Sequence, residues 1–450
     1  MQYSTSSTET LPLDSVSQRF RKLALKGSLW IIGGHAFAIL LRMVSSLTLT
    51  RLLAPEILGL VALSYLVNKG VSMFADVGLR GNVIYHQNGD NPKFLDTVWS
   101  IQIIKGVCVW ALVSLLAYPA ALFYDQPELL WIIPVTGASS VILGIQSTAV
   151  YSTVRHVIQK RKVLFEAASK FAGFTVMLSW AWISPGVEAL VFGGTVTALM
   201  TCLLSRHLLP ERRPDQWGID KEQARQIFRF GRWILISTAL TFLFVEADKI
   251  VLGKLLTTRD LGIYSIAALS SVVVLELITR LSTDILFPLY AKMYRSNSDT
   301  ELADTAQLRF AIAILGSLPL WLIALFGQEI IGLLYDSRYQ SAGWMAQILA
   351  IGTVAQVLVA TSERALLAKG NSYLHMCITG TRTILVFSGM AIGILIAGIP
   401  GLLYGLVVSR WLGWVLVTSI LAHHKTITLK VDISVIFLTI ALLCLGYLSL

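Results

Sequence analysis

Charged side chains are scarce in this sequence. Of its 450 residues only 14% are Asp, Glu, Lys or Arg, whereas a soluble domain carries about a quarter of such residues. This scarcity argues against any ordinary soluble domain, and the mean hydropathy of +0.70 agrees. Apolar runs of twenty or more residues recur from end to end, which is the length that a helix needs to cross a bilayer. The sequence therefore predicts an all-α, polytopic helical membrane protein.

Cysteines and catalytic motifs are also few. The four cysteines lie in apolar stretches without metal-type or CxxC spacing, so we interpret them as packed thiols. The first 18 residues are polar, are expected to be disordered, and do not form a signal peptide. The predicted outer loops are short, and the chain shows no Ser/His/Asp set, DxD-type site or phosphate-binding Gly loop. We therefore expect no enzyme activity, no metal site and no cofactor.

Long apolar runs predict about 13 spans. Two helix-breaking clusters, at residues 184–186 and 398–401, divide runs that are otherwise continuous. If the N-terminus is cytoplasmic, 25 of the 36 Lys and Arg residues lie in cytoplasmic segments, and four (Arg51, Lys254, Arg259 and Arg338) lie in outer loops. This bias predicts a multi-pass membrane protein with a cytoplasmic N-terminus. The net charge of +10 then faces cytoplasmic lipid and implies no nucleic-acid partner.

One nine-residue phrase occurs twice. The chain reads RLLAPEILG from Arg51 and KLLTTRDLG from Lys254, 203 residues later. The two copies fall in equivalent outer turns, between predicted spans 1 and 2 and between spans 7 and 8. Halves of six spans each enter the membrane from the same side, so the repeat predicts two parallel six-helix lobes around a central cavity. We interpret Pro55, Gly59 and Gly262 as structural residues of these repeat turns.

The repeat also predicts how the chain is divided. The expected segments are a cytoplasmic polar segment (1–26), a first lobe with spans 1–6 (27–208), a cytoplasmic linker (209–231), a second lobe with spans 7–12 (232–421), and a loop with one extra C-terminal span (422–450). From Asp220 onward the linker is expected to form a short amphipathic surface helix.

Ionisable residues within the spans gather in spans 1, 2, 7 and 8. Each costs at least about 2.5–3.5 kcal/mol near a helix centre, so such residues usually face a cavity or a partner. Arginine forks match phosphate oxygens and lysine supplies a point charge. Arg42, Lys69 and Arg280 are therefore predicted to bind an anionic substrate headgroup, such as a lipid diphosphate. Asp248 lacks an obvious local partner, and with Glu246 it is the candidate for coupling to H⁺ or Na⁺.

Several intramembrane charges have a structural interpretation as well. Glu246 is three residues from Lys249, and the two side chains are placed to form an ion pair. Glu276, Arg280 and Asp284 share one helix face, either as a self-neutralised ladder or as one wall of the cleft. His35 is expected to be a packed histidine, and Lys105 is expected to extend to the cytoplasmic interface.

Several stretches carry a family resemblance. They include TRLLAPEILGLVAL at the first outer turn, FADVGLRGNVIYHQ ending span 2, FLDTVWSIQIIKG opening span 3, EADKIVLGKLLTTRDLGIYSIA across span 7, ILFPLYAKM ending span 8 and ERALLAKGN after span 10. In order and spacing the chain resembles the polysaccharide-transport, Wzx-like branch of the multidrug/oligosaccharidyl-lipid/polysaccharide flippase superfamily. The similarity extends from about residue 20 to residue 425. Relatives commonly have 14 spans, one more than this chain is predicted to have.

The resemblance implies a function, a location in the bacterial cytoplasmic (inner) membrane, and a set of partners. It implies two lobes in a V around a cavity, and ion-coupled movement of undecaprenyl-diphosphate-linked oligosaccharides to the outer leaflet. It places Arg42, Lys69 and Arg280 at the lipid diphosphate, and Asp248 at a recurrent acidic position of span 7. The expected partners are this substrate, membrane lipid, a polysaccharide polymerase and chain-length machinery. The alternatives are a multidrug or cation antiporter of the same superfamily, which favours acidic and aromatic cavity residues, and a membrane polymerase or ligase.

Overall fold

The computed structural model describes residues 13–85, 89–156, 159–208, 213–296, 299–423 and 429–449, and within them all regular elements are helical. The first half contains α1 (Leu13–Leu52), α2 (Pro55–Phe74), α3 (Leu79–Tyr85), α4 (Pro92–Tyr124), α5 (Leu129–Gly137), α6 (Ser139–Gly144), α7 (Ala149–Arg155), α8 (Gln159–Ile183) and α9 (Val187–Ser205). The second half contains α10 (Lys221–Val245), α11 (Ala247–Leu255), α12 (Thr258–Leu281), a π-helix (Ser282–Leu286), α13 (Phe287–Ser296), α14 (Asp299–Leu334), a 3₁₀ turn (Ser337–Tyr339), α15 (Ala342–Ser362), α16 (Arg364–Ala368), α17 (Ser372–His423) and α18 (Lys430–Ser449).

Two helical hairpins form where the sequence predicted helix breaks. Between α8 and α9 the chain reverses at residues 184–186. The 52 residues of α17 are two antiparallel limbs, because Ala397 and Gly398 leave helical geometry and Gly398 has a φ of +62°. The limbs pack closely, since a Cβ on Gly393 would lie 2.1 Å from the carbonyl oxygen of Gly401, and a Cβ on Gly405 would lie 2.0 Å from that of Gly389. Both predicted divisions are therefore confirmed as turns between packed helices.

In two places the helices differ from those that the sequence predicts. The apolar stretch at 130–153, which the sequence predicts as one span, forms α5, α6 and α7, with a 63° bend between the α5–α6 segment and α7. Pro134 lies inside α5 and Gly144 ends α6, and both residue types weaken a continuous helix. The helix α1 begins at Leu13, so the polar segment is helical from that residue onward, and residues 1–12 lie outside the described part. No proline or glycine interrupts the chain between Leu13 and Gly27, which permits this extension.

The segment between the halves is attached to the first half. The carboxylate of Asp215 accepts hydrogen bonds from the hydroxyl of Ser147 (2.7 Å) and the backbone N–H of Thr148 (3.2 Å), in the α6–α7 loop. Asp220 then caps α10, because its side chain accepts hydrogen bonds from the backbone N–H groups of Glu222 and Gln223. The predicted amphipathic helix after Asp220 is thus confirmed as the first part of α10, which bends by 43° before continuing as the predicted span 7.

The outer surface is apolar, as a lipid-facing surface requires. Large side chains such as Leu115, Trp182, Leu333 and Leu395 are more than two-thirds exposed. Within the described ranges seven helices are long and apolar enough to cross a membrane, and two bent helix pairs raise the number to nine. One of the seven is the α17 hairpin, which alone contains two of the predicted spans. The chain is therefore an all-α polytopic protein, and the count of about 13 spans stays a prediction.

The last helix packs into the second half through buried polar contacts. Arg309 on α14 donates from Nη2 to both oxygens of Asp432 on α18, at 2.6 and 2.7 Å, and both residues are fully buried. The indole of Trp321 donates to the hydroxyl of Thr439 on α18 at 2.9 Å. These contacts fix the register of the extra C-terminal helix against α14, since an unpaired charge at either position would be costly.

Candidate substrate cavity

A cavity of about 420 Å³ lies between the two halves of the molecule. Helices α1, α8 and α9 of the first half form most of its wall, and α12 of the second half completes it. An adjoining cavity of about 260 Å³ shares part of this wall and extends to α3, α7 and the π-helix. Together they are lined by five basic side chains and three carboxylates: Arg42, Arg80, Lys162, Lys170, Arg280, Glu166, Glu276 and Asp284. The lining therefore carries a net positive charge.

Arg42 and Arg280 converge on one carboxylate in the larger cavity. Arg42 donates from Nη2 to Oε2 of Glu276 at 3.1 Å, and Nη2 of Arg280 lies 3.5 Å from Oε1 of the same residue. The exposed fractions of the Arg42, Glu276 and Arg280 side chains are 38%, 43% and 48%. All three charges are thus accessible to water and to a bound ligand. The Arg42–Glu276 pair joins α1 of one half to α12 of the other.

The predicted ladder of Glu276, Arg280 and Asp284 forms one wall of the cleft. Glu276 and Arg280 line the larger cavity, and Arg280 and Asp284 line the adjoining one. A π-helix from Ser282 to Leu286 follows α12 at this point. Such single-turn insertions in α-helices are frequent at functional sites. The structure therefore favours the cleft interpretation of the ladder over the self-neutralised one.

Lys69 lies in a separate cluster, away from both cavity linings. Its ammonium group forms an ion pair with Oε1 of Glu246, and Lys249 donates to Oε2 of Glu246 at 2.6 Å. The Glu246–Lys249 pair that the spacing indicated is therefore present. Glu246 is only 2% exposed and stands at the break between α10 and α11, while Lys69 is on α2. This second ion pair also joins the two halves.

Asp248 has a partner that the sequence did not indicate. Its Oδ2 accepts a hydrogen bond from the hydroxyl of Tyr264 on α12, and its Oδ1 accepts one from the backbone N–H of Lys249 at 2.8 Å. A cavity of about 30 Å³ beside it is also lined by Arg410 and Thr353, which lie within 3.4 Å of each other. The sequence showed no local side-chain partner for Asp248, because Tyr264 lies 16 residues further along the chain, on the next helix.

Three further side chains have surroundings that the sequence did not predict. His35 lines both cavities and is half-buried, so it is not a packed core histidine. Lys105 donates to Oδ1 of Asp76, just beyond the end of α2, at 3.2 Å, so it has a partner within the first half. Lys170, in the larger cavity, was missed by the sequence analysis, although its position inside a predicted span was a usable signal.

The two repeat turns contact each other. A Cβ on Gly59 would lie 1.9 Å from the carbonyl oxygen of Thr258, and a Cβ on Gly262 would lie 2.0 Å from the carbonyl oxygen of Pro55. Thr258 and Gly262 occupy the positions of Pro55 and Gly59 in the second copy of the phrase. Each glycine therefore admits the backbone of the other copy, and α2 and α12 cross at this point. Contacts so close to a carbonyl oxygen leave no room for a side chain.

Polar contacts surround this crossing. We call the face of the molecule that carries residues 51–59 and 254–262 the turn face. Arg338, before α15, donates from Nη2 to the carbonyl oxygen of Thr50 at 2.9 Å and so caps the C-terminal end of α1. Lys254 pairs with Asp125 at 2.6 Å, and Arg259 lies 4.0 Å from Glu56. Every one of these contacts joins the second half to the first. The halves are therefore closed against each other at the turn face.

Similarities to known proteins agree with this architecture. The chain is 20% identical over 401 residues to the lipopolysaccharide biosynthesis protein WzxC of Escherichia coli strain K12, over 88% of this chain and 80% of that protein. The lipid II flippase MurJ in an inward closed conformation superimposes with a TM-score of 0.69 at 12% identity, over 94% of this chain and 93% of MurJ.

An inward-facing multidrug resistance MATE family transporter of the MOP superfamily gives a TM-score of 0.66 at 13% identity, over 84% of this chain and 92% of the transporter. These two likenesses show that the helices adopt the same overall fold as these two membrane proteins. The family model described as "polysaccharide biosynthesis protein" matches residues 48–344, about two-thirds of the chain. This chain accordingly belongs to the family of polysaccharide biosynthesis proteins.

Proposed function

We propose that the protein is a flippase that moves undecaprenyl-diphosphate-linked oligosaccharide units across the cytoplasmic membrane for surface polysaccharide biosynthesis. The observation that carries this proposal is the basic cavity between the two halves, in which Arg42 and Arg280 face each other across one carboxylate. A diphosphate headgroup suits two water-accessible guanidinium groups, since each guanidinium donates to two phosphate oxygens at once. WzxC is named for lipopolysaccharide biosynthesis and MurJ for flipping lipid II, which supports a lipid-linked glycan as the substrate.

The proposed route separates the headgroup from the lipid tail. A glycan diphosphate cannot enter hydrocarbon, because its polar groups would lose their hydration without compensation. A cavity of about 420 Å³, and the adjoining one of about 260 Å³, give the headgroup a polar path, while the exposed apolar surface of the helices accommodates the tail. Alternation between two arrangements of the halves would expose this path to each side of the membrane in turn.

Closure at the turn face supports such an alternation. The crossing of Gly59 and Gly262, the Arg338 cap and the Lys254–Asp125 pair hold the halves together at the turn face. We assign this face to the periplasmic side, and the N-terminus to the cytoplasm, from the distribution of Lys and Arg in the sequence. In this arrangement the cavity would receive substrate from the cytoplasmic leaflet.

Ion coupling through Asp248 and Glu246 remains part of the proposal. Two lysines hold Glu246, so a coupling cation there would have to replace an ammonium group. Asp248 accepts a hydrogen bond from a tyrosine hydroxyl and lines a small cavity with Arg410, so a proton would be taken up there without displacing a lysine. We therefore favour H⁺ at Asp248. The transport reaction needs no covalent chemistry and no resident cofactor, and a polymerase and chain-length machinery would act on its product.

A second candidate function is multidrug or cation antiport. The fold likeness to a MATE transporter and the two buried carboxylates, Glu246 and Asp248, favour it. However, the larger cavity is lined by Arg42, Lys170 and Arg280, which would repel a cationic drug. Transport of an organic cation, with no movement of a lipid diphosphate, would favour this second function over the first.

The test is translocation of a fluorescent undecaprenyl-diphosphate oligosaccharide in vesicles that contain the purified protein. We expect Arg42→Ala and Arg280→Ala to abolish translocation, because each removes a guanidinium from the cavity. Arg51→Ala is a matched control, since Arg51 is an exposed arginine at the end of the same helix as Arg42 and outside both cavity linings. Unchanged translocation by the Arg42→Ala and Arg280→Ala variants would reject the cleft assignment.

The coupling ion is tested separately in the same vesicles. Asp248→Asn keeps the size of the side chain and removes its charge. We expect this variant to lose the dependence of translocation on a pH gradient. If the gradient dependence is the same as in the natural protein, Asp248 is not the coupling residue.

A further inference from the structure

Glu276 is a carboxylate in a cavity that is otherwise suited to anions. It lies in the wall of the larger cavity with Arg42, Lys170 and Arg280, and it is the single acidic residue among the described residues lining that cavity. Both of its oxygens are used, since Oε2 accepts from Arg42 and Oε1 faces Arg280. The carboxylate therefore occupies the space between the two guanidinium groups that a substrate phosphate would need.

The environment of Glu276 differs from that of a structural ion pair. Arg309 and Asp432 are at most 2% exposed, and their bidentate contact holds two helices of the same half together. The side chain of Glu276, in contrast, is 43% exposed, and those of Arg42 and Arg280 are 38% and 48% exposed. Ion pairs that are accessible to water contribute little to stability and exchange partners readily. The Glu276 contacts are thus suited to being replaced.

We infer that Glu276 is an internal counter-anion, which holds Arg42 and Arg280 when the cavity is empty and gives way to the substrate's phosphates. This inference rests on the proposed function and adds to it the residue against which the diphosphate competes. A diphosphate carries more than one negative charge and can engage both arginines, so it can compensate for the contacts that Glu276 loses. A ligand that binds only one arginine cannot compensate for both contacts. Glu276 therefore selects for a multiply charged headgroup.

The position of the pair links occupancy to the contact between the halves. Arg42 belongs to α1 of the first half, whereas Glu276 and Arg280 belong to α12 of the second. When a phosphate takes the place of Glu276, the direct Arg42–Glu276 contact between the halves is lost, and the substrate itself bridges Arg42 and Arg280. Binding of the headgroup would thus exchange a fixed contact between the halves for one that leaves with the substrate.

The test measures binding of undecaprenyl diphosphate to the purified protein in lipid nanodiscs. Glu276→Gln preserves the shape of the side chain and removes the competing charge, so we expect the dissociation constant to fall by about two- to fivefold, as removal of an exposed ion pair permits. Asp76→Asn is the matched control. Asp76 is also a partly exposed carboxylate that is paired with a cation, Lys105, but it lies outside both cavity linings, so its substitution should leave binding unchanged.

A second measurement separates this role from a purely structural one. In an Arg42→Ala, Arg280→Ala background the Glu276→Gln substitution should no longer tighten binding, because no guanidinium remains for the carboxylate to occupy. Equal or weaker binding by Glu276→Gln in the natural background would overturn the inference, even where Arg42→Ala weakens binding and so supports the flippase proposal. Absence of undecaprenyl diphosphate binding to the natural protein would overturn both.

Discussion

Substitution of Gly59 by alanine tests how the halves are held closed. The added Cβ would lie 1.9 Å from the carbonyl oxygen of Thr258 and 2.7 Å from its carbonyl carbon. Both are backbone atoms, so no change of rotamer can relieve the contact. The oxygen would have to retreat by about 1.1 Å to reach the 3.0 Å below which Cβ contacts are essentially never found. The two helices must therefore separate where the repeat turns cross.

The size of the effect follows from this overlap. Insertion of one methyl group into a closely packed contact typically costs about 1–3 kcal/mol. If only the closed arrangement bears a cost of about 2 kcal/mol, the equilibrium between closed and open arrangements shifts roughly 30-fold toward the open one. We therefore expect Gly59→Ala to enrich conformations in which the halves are apart at the turn face. Gly262→Ala should have a similar effect, and the double variant should show less than the sum because the first separation makes room for the second methyl group.

Pulsed electron paramagnetic resonance can measure the separation directly. Spin labels on Glu128 and Gln340, which are exposed on the turn face of the first and second half, report the distance between the halves in a cysteine-free background. Gly59→Ala should lengthen this distance, whereas Gly332→Ala should not, because no heavy atom lies within 4 Å of a Cβ at Gly332. An unchanged distance distribution in folded Gly59→Ala protein would refute the steric explanation of the closure.

Three further substitutions address stability, each measured by thermal unfolding or proteolysis. Arg309→Met should lower the free energy of unfolding by about 3–5 kcal/mol, because it leaves the buried carboxylate of Asp432 without its arginine partner. Gly398→Ala should lower the melting temperature, since a φ of +62° strains a residue with a Cβ, whereas Gly380→Ala, which has open space around it, should not. Asp215→Ala should make residues 213–220 more sensitive to protease, because it removes the contacts of this segment with the α6–α7 loop.

The sequence predicted how deep a residue lies along its helix better than it predicted which way the side chain points. Apolar runs and glycine–proline clusters place the reversals at residues 184–186 and 398–401, because these signals are local in the chain. Arg42 and Lys69 are both deep in their spans, yet only Arg42 faces the cavity. A single sequence does not show which helix a charged side chain meets. For the same reason the hydroxyl that bonds to Asp248, on Tyr264, was not predictable.

The repeated phrase predicted the relation between the two halves as well as the two turns. Identical spacing of the two phrases indicated equivalent places in two parallel halves, and the structure brings those places into mutual contact. The spacing alone does not predict this contact, because equivalent turns in two lobes can also lie far apart. What decides it is the glycine at the ninth position of each copy, Gly59 and Gly262. These are the residues that allow one backbone to approach the other.

The ion pairs between the halves differ in burial, and this difference indicates where the halves move. Lys254–Asp125 on the turn face and Arg42–Glu276 in the cavity are substantially exposed, so water compensates their charges when they separate. Glu246 is almost fully buried, and separating it from Lys69 would leave a buried carboxylate with one fewer partner. Helices α2 and α10 are also in contact, because the hydroxyl of Thr238 donates to the carbonyl oxygen of Met73 at 2.9 Å. We therefore expect the halves to rotate about the α2–α10 contact, with the Lys69–Glu246 pair intact, while the exposed pairs break and re-form.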